Sequence, residues 1–329
     1  MDLSTSYMGI KLKNPLIISS SRITGEIRTI EQCLRHGASA IVLKSVFEEQ
    51  LTLQAESKLR QSKDNDAFYW FPEAKDVIVK LSKEAHLEQY LKFVENVKRI
   101  SVDVPVISSI NCHTAEGWPT YAKKIEEAGA NALELNISIF PFNNSLTCSQ
   151  IEKRYLEIVE NVQREVNIPV SVKLSPYFTN LCTIASDLVN AGVKGLVLFN
   201  RFFRPDIDVD TMKVITEEQW STPEELNVPL RWIALMTGNN LNCDLVASTG
   251  VHYHTGVVKQ LLAGAKAVQL CSTLYINGIP FINNILQGLE NWMKEHKFEN
   301  IDQFRGKALD YQTTEASFER IQYMKRNFD

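Results

Sequence analysis

Four stretches repeat one phrase: Arg35-His36-Gly37-Ala38 running into SAIVLKS, Glu127-Ala128-Gly129-Ala130 into NALELNIS, Asn190-Ala191-Gly192-Val193 into KGLVLFN, and Leu262-Ala263-Gly264-Ala265 into KAVQLCS. Each reads as a helix closed by a C-terminal glycine, a tight link, and a short buried strand that ends at polar residues. Between the copies lies a second phrase: Asn14-Pro15 before LIISSS, Val104-Pro105 before VISSIN, and Ile168-Pro169 before VSVKLS. Proline there opens a strand, where its missing N–H is tolerated. The intervals between Gly37, Gly129, Gly192 and Gly264 are too long for one strand and one helix but suit two such units each. With the proline-led strands and the stretch from Asp244 to Thr249, the count is eight. Eight apolar, β-branched strands alternating with amphipathic helices predict a parallel sheet buried on both faces and closed into an α/β (β/α)8 TIM barrel. Reactive groups then belong at the C-terminal ends of the strands.

Composition agrees with that reading. The chain has 329 residues, 44% hydrophobic and 22% charged, enough for one large core and a single domain over residues 1–329. A net charge of −4 gives no electrostatic footprint for nucleic acid or an anionic membrane. The N-terminal MDLSTSYMGI lacks a basic and apolar leader, and no apolar run approaches the ~20 residues of a membrane span. A cytoplasmic protein is expected. Six cysteines, Cys33, Cys112, Cys148, Cys182, Cys243 and Cys271, are scattered without a C-x-x-C pair. They read as free thiols, and no metal site is expected.

Outside the barrel strands, LSTSYMGIKLKNP predicts an N-terminal β-hairpin around Met8-Gly9 that plugs the barrel's N-terminal face. Stripes at Ile27, Ile30 and Leu34, and at Ile151, Tyr155, Ile158, Val159 and Val162, predict helices facing the barrel wall. Two long insertions follow strands 2 and 6. The first carries polar QAESKLRQSKDNDA and aromatic FYWFP, the composition of a lid or substrate loop; the second, from Arg201 to about Val228, carries acidic PDIDVD.

In chain order the strand tips present Ser19-Ser20-Ser21, Lys44-Ser45, Asn111, Asn136 with Ser138, Lys173, Asn200, Thr249-Gly250 and Cys271-Ser272. Two lysines at the ends of apolar strands call for an anionic or electron-rich occupant, because a buried ammonium is costly without one. Small residues after strands seven and eight suit a phosphate, held by backbone N–H groups in this fold. His252 and His254 read as surface residues rather than metal ligands, since no carboxylate partner accompanies them.

These residues resemble the dihydroorotate dehydrogenase family of FMN-dependent (β/α)8 enzymes over essentially the whole chain. The matching phrases are K-N-P-L at Lys13 to Leu16, L-K-S at Leu43 to Ser45, E-L-N-I-S at Glu134 to Ser138, V-K-L-S-P-Y-F at Val172 to Phe178, and A-G-A-x-x-V-Q-L at Ala263 to Leu270. The resemblance implies FMN as cofactor, a small-molecule substrate, a homodimer, and oxidation of dihydroorotate or a related dihydropyrimidine. By the same resemblance, Lys44 and Ser45 touch flavin and substrate, and Asn111, Asn136 and Asn200 line the ring or the substrate. Lys173 sits at the flavin N1/O2 edge, where a fixed ammonium favours the negatively charged reduced ring. Thr249, Gly250, Cys271 and Ser272 hold the phosphate by their backbones. Ser19 and Ser20 complete the cofactor set, and Lys44, Asn136 and Ser138 form the expected catalytic set.

The chain also departs from the family's pattern. Where N-[LI]-S-C-P-N carries a cysteine or serine base, this chain has Asn136-Ile137-Ser138-Ile139-Phe140-Pro141, so Ile139 takes the base position. Losing a general base costs about 10²–10⁴-fold in rate, so Cys112 and Cys148 become candidate replacements. The family's asparagine-bearing substrate loop is replaced by NDAFYWFP, and its glycine-rich stretch before helix seven is absent. Three other readings stay open. One is a flavoprotein with an unrelated substrate, whose apolar pocket is shaped by Phe68, Tyr69, Trp70 and Phe140. Another is a Schiff-base aldolase or lyase using Lys44 or Lys173. The last is a non-catalytic barrel that binds a phosphorylated ligand.

Overall fold

A computed structural model describes residues 1–51, 53, 72–139, 145–202, 205–216 and 220–309. The chain opens with an antiparallel hairpin, β1 (Thr5–Tyr7) and β2 (Ile10–Leu12). There follow β3 (Leu16–Ile18), α1 (Ile27–Arg35), β4 (Ala40–Val42), the short β5 (Val46–Phe47), α2 (Pro72–Ile100), β6 (Val106–Asn111), α3 (Gly117–Glu127), β7 (Ala132–Leu135) and α4 (Cys148–Glu165). The second half runs β8 (Val170–Leu174), α5 (Leu181–Asn190), β9 (Gly195–Leu198), a hairpin of β10 (Pro205–Asp208) and β11 (Lys213–Thr216), α6 (Asn227–Gly238), β12 (Asp244–Ser248), α7 (His254–Leu262), β13 (Ala267–Leu270), α8 (Ser272–Asn277) and α9 (Phe281–Glu295). Among the described residues, β3, β4, β6, β7, β8, β9, β12 and β13 pair in parallel in that ring order, and β13 returns to β3. The expected eight-stranded barrel is therefore closed; seven of its strands are those read from the two phrases, and the eighth, β12, is the stretch from Asp244.

The local chemistry of both phrases is visible. Gly37, Gly129, Gly192 and Gly264 all have positive φ, between 88° and 107°. In each case the residue after the glycine donates its N–H five residues back: Ala38 to Cys33, Ala130 to Ile125, Val193 to Leu188 and Ala265 to Gln260. This is a Schellman closure, which satisfies helix-end carbonyls and turns the chain toward the next strand. The prolines work as expected too. Pro15, Pro105 and Pro169 offer only a carbonyl, and those carbonyls accept from Val268, Ile41 and Leu133 on the neighbouring strands.

The barrel interior is stratified. At the N-terminal end the hairpin residues Tyr7, Met8 and Leu12 pack on Ile17, Val42, Ile107, Val197 and Val246. Tyr7 fills the space over Gly195, where an added Cβ would lie 2.6 Å from the ring, and the Met8 N–H donates to Asp244 Oδ2 at 2.7 Å. The predicted plug is thus present. One layer higher the inward positions turn polar, with Ser19, Ser109, Glu134, Ser171, Lys173 and Gln269 all buried. Outside the ring, α1 buries Ile30 and Cys33, with Ile27 and Leu34 partly buried, while α4 buries Tyr155, Val159 and Val162. The PDIDVD stretch forms the β10–β11 hairpin, which leaves Ile207, Val209, Met212 and Val214 exposed. The polar and aromatic lid stretch, with Phe68, Tyr69 and Trp70, lies outside the described residues, as does Phe140.

Candidate active site

Glu134 and Gln269 stand at the middle of apolar strands β7 and β13, and both side chains turn into the barrel. The Gln269 amide donates to Glu134 Oε2 at 2.6 Å. Its carbonyl accepts from Lys173 Nζ at 3.1 Å and from the Ser19 hydroxyl at 3.0 Å, and Lys173 also donates to Ser19 Oγ at 3.2 Å. Lys173 is 7% exposed, so its stem is fixed by packing and its charge by two acceptors. A third ammonium N–H remains for an occupant. Glu134 Oε1, although buried, has no hydrogen-bond partner among the described residues.

This floor carries two joined hollows. The first, of about 210 Å³, is lined by Lys173, Asn200, Thr249, Gly250, Cys271 and Ser272 among others. The second, of about 260 Å³, is lined by Arg22, Lys44, Ser45, Glu134 and Asn136. Ser20, Lys173 and Asn200 are common to both. The amides interlock: Asn200 donates to Asn136 Oδ1 at 2.6 Å, and Asn111 donates to the Asn136 carbonyl at 2.9 Å. On the other side Ser20 Oγ accepts from the Ser45 N–H at 2.9 Å, and Ser45 Oγ meets Ser109 Oγ at 2.7 Å.

At the far end of the first hollow, Thr249 and Gly250 both have positive φ, 80° and 76°. A Cβ on Gly250 would lie 2.2 Å from the Leu226 nitrogen, so only glycine fits under that turn. Ser221 closes this end. Its N–H donates to Ser272 Oγ at 3.0 Å, and its hydroxyl meets His252 Nε2 at 3.2 Å and accepts from the Gly250 N–H at 3.4 Å. His252 is therefore buried and part of this wall, which corrects its reading as a surface residue. Burial lowers its basicity against the opposing pull of Ser221, Glu225 and Glu224, so the ring is neutral near pH 7.

Of the expected site residues, Ser19, Ser20, Lys44, Ser45, Asn136, Lys173, Asn200, Thr249, Gly250, Cys271 and Ser272 come together on these hollows. Asn111 stands one bond away, behind Asn136. Ser138 lines a separate, adjoining cavity with Ile139, Cys148 and Tyr155. The two candidate thiols separate sharply. Cys112 is buried, and desolvation with the nearby Glu48 carboxylate pushes its thiol far up, so it cannot take a proton. Cys148 is exposed on the same cavity as Ile139. Lys44 is exposed at the rim of the second hollow. Sequence reading missed Arg22, Glu134, Ser221 and Gln269. Glu134 and Gln269 carried a signal, as polar residues inside ALEL and AVQL, whereas Ser221 is brought in from a loop.

The walls fit a flavin mononucleotide. A buried ammonium with a donor to spare and an orphaned carboxylate oxygen mark a wall completed by a polar ligand. The glycine-tight turn and the hydroxyls at Ser221 and Ser272 suit a phosphate. Among the described residues, no group of three or more His, Cys, Asp or Glu could hold a metal ion, and no helix is long and apolar enough to cross a membrane.

Comparison with known proteins gives the family. The dihydroorotate dehydrogenase family matches residues 2–293. The catalytic subunit of dihydroorotate dehydrogenase B (NAD(+)) from Thermoplasma acidophilum is 27% identical over 312 residues, 94% of this chain and 99% of that protein. The subunit of the same name from Pyrococcus abyssi is 25% identical over 311 residues, 93% and 99% of the two chains. The chloroplastic dihydropyrimidine dehydrogenase (NADP(+)) of Arabidopsis thaliana is 24% identical over 351 residues, 98% of this chain and 80% of that one. Barrel, strand-end lysines, interlocked amides and family match converge, and the chain belongs to the dihydroorotate dehydrogenase family, flavoprotein oxidoreductases that act on CH–CH bonds.

Proposed function

We propose that this chain holds FMN across the two hollows and oxidises dihydroorotate or a related dihydropyrimidine, in the cytoplasm and as a homodimer. The observation that carries this reading is the buried Lys173, fixed by Ser19 and Gln269 where both hollows meet. Bound there, FMN supplies two-electron redox chemistry at a C–H bond of the substrate. The chain's own contribution is position and field. Lys173 brings a fixed positive charge to the floor, Asn136 and Asn200 present an ordered pair of amides to a carbonyl-bearing ring, and Lys44 supplies a second cation at the rim. Thr249, Gly250, Ser221 and Ser272 hold the phosphate end. Ser138 lies just beyond the ring site and is proposed to contact the substrate rather than the cofactor.

Proton transfer is the weak point of this site for dihydroorotate itself, because Ile139 has no proton acceptor. The relatives' names make a nicotinamide the acceptor to test first. The purified chain is expected to be yellow and to release FMN on denaturation; a colourless preparation that FMN cannot reconstitute would overturn the reading. Lys173→Ala is expected to weaken FMN binding by about tenfold or more, the scale of one charge-assisted hydrogen bond. Unchanged affinity and unchanged ease of reduction would remove Lys173 from its role.

A further inference from the structure

The cavity next to the ring site, about 190 Å³, is built as an extension of it along three neighbouring strands. After β7, Asn136 lines the ring site and Ser138 and Ile139 line the cavity. At the end of β8 the pair is Lys173 and Ser175, and after β9 it is Asn200 and Phe202. Each strand end thus gives one residue to the ring site and the residue two further on to the cavity.

The cavity walls are mostly apolar. Tyr155 meets Phe178 edge to face at 5.3 Å, and Tyr177 lies 5.8 Å from Phe202. Ile139 and Ile151 complete the apolar side. The Tyr155 hydroxyl is turned away to the Ile137 carbonyl at 3.1 Å. Glu152 is the charged group among the described lining residues, and no lysine or arginine is among them. The opposite rim differs. In the ring order β3 and β4 stand across from β8 and β9, and their ends bring Arg22 and Lys44 to the ring site. Among the described residues, the mouth is cationic on one side and apolar with a single carboxylate on the other.

We infer that the substrate is a cyclic amide whose carbonyl-bearing or anionic edge faces Arg22 and Lys44 and whose apolar alkyl or aryl arm occupies the cavity between the ends of β7, β8 and β9. This rests on the proposed function and narrows its substrate class. Ile139 then has a use: at the position where the family carries a base, it forms part of the wall against the arm. The size agrees, since an apolar cavity of about 150 Å³ accepts benzene. A carboxylate in the same place would face Glu152, with no lysine or arginine among the described lining residues to meet it.

The test measures binding of uracil, 5-benzyluracil, 6-benzyluracil and orotate to the purified chain, by calorimetry and by perturbation of the flavin spectrum. At least one benzyl compound is expected to bind about tenfold or more tighter than uracil, the low end of what burying an aromatic ring yields. Thr179→Trp fills the cavity from an exposed position, and Leu146→Trp does so from a second, half-buried one. Either filling is expected to abolish the preference for the benzyl compound while leaving uracil affinity within about twofold. Benzyl compounds that bind no tighter than uracil, or a preference that survives both fillings, would overturn the inference with the flavin still in place. A chain that holds no flavin defeats the functional reading instead, and calorimetry still reads the cavity's selectivity.

Discussion

Ile139 and Thr249 show how single positions set what this site can do. If the reaction is of the dihydroorotate type, Ile139→Cys supplies the missing proton acceptor. Anaerobic bleaching of the flavin by dihydroorotate is then expected to accelerate by about 10²-fold, the low end of general-base catalysis. An unchanged rate would place the difficulty in substrate fit rather than in proton transfer. Thr249 carries a β-branched side chain at φ 80°, which costs about 1–2 kcal/mol, and its hydroxyl returns about 1 kcal/mol through a 3.1 Å bond to the Phe199 carbonyl. These nearly cancel, so Thr249→Gly is expected to leave thermal stability almost unchanged. Gly250→Ala must move the backbone of Leu226, and is expected to lose FMN and lower the melting temperature by several degrees. At this scale the sequence was legible wherever a residue ended a strand, as Lys44, Asn136, Lys173 and Asn200 do. It was less legible inside the strands. With both faces buried, β7 and β13 show no alternation to tell that Glu134 and Gln269 face inward.

Elements are set by their closures, and those closures respond unequally to substitution. Among the described residues nothing lies within 4 Å of the place an added methyl group would take at Gly129, so Gly129→Ala incurs left-handed strain of about 1–2 kcal/mol. At Gly264 the same methyl would lie 2.4 Å from Thr237 Oγ1, so Gly264→Ala adds a collision and is expected to cost measurably more in chemical denaturation. The helix-closing phrase could be read because it depends on local backbone conformation. The tie after β5 could not, because it joins loops from different units. Glu48 accepts from the backbone N–H groups of His113 and Thr114, both at 3.0 Å, and from the Thr114 hydroxyl at 2.7 Å. Burial raises the Glu48 carboxyl, but these bonds and the nearby His113 outweigh burial and hold it below the usual range. A folded value below the unfolded one means this stability is complete above the unfolded value of about 4.3 and is lost as pH falls through the folded value. Glu48→Gln is therefore expected to lower the melting temperature at pH 7, with the difference from the parent chain vanishing at more acidic pH.

For the whole molecule, the ring order has an energetic meaning. The first and last barrel strands, β3 and β13, pair with each other, and Val268, Gln269 and Leu270 lie in register with Leu16, Ile17 and Ile18. The Lys173 anchor depends on both sides of that join, since one acceptor is Ser19 and the other is Gln269. Cofactor retention thereby becomes a gauge of chain-end docking: a chain stopped before β13 keeps most of its strands yet loses the clasp on its ammonium. Flavin release and loss of helical signal in urea are accordingly expected to superimpose as one transition. Two separated midpoints would mean that the clasp opens while the staves still hold. The same join must wait for β13 to leave the ribosome, so a nascent chain that has not yet emerged that far lacks the Gln269 half of the grip on its ammonium.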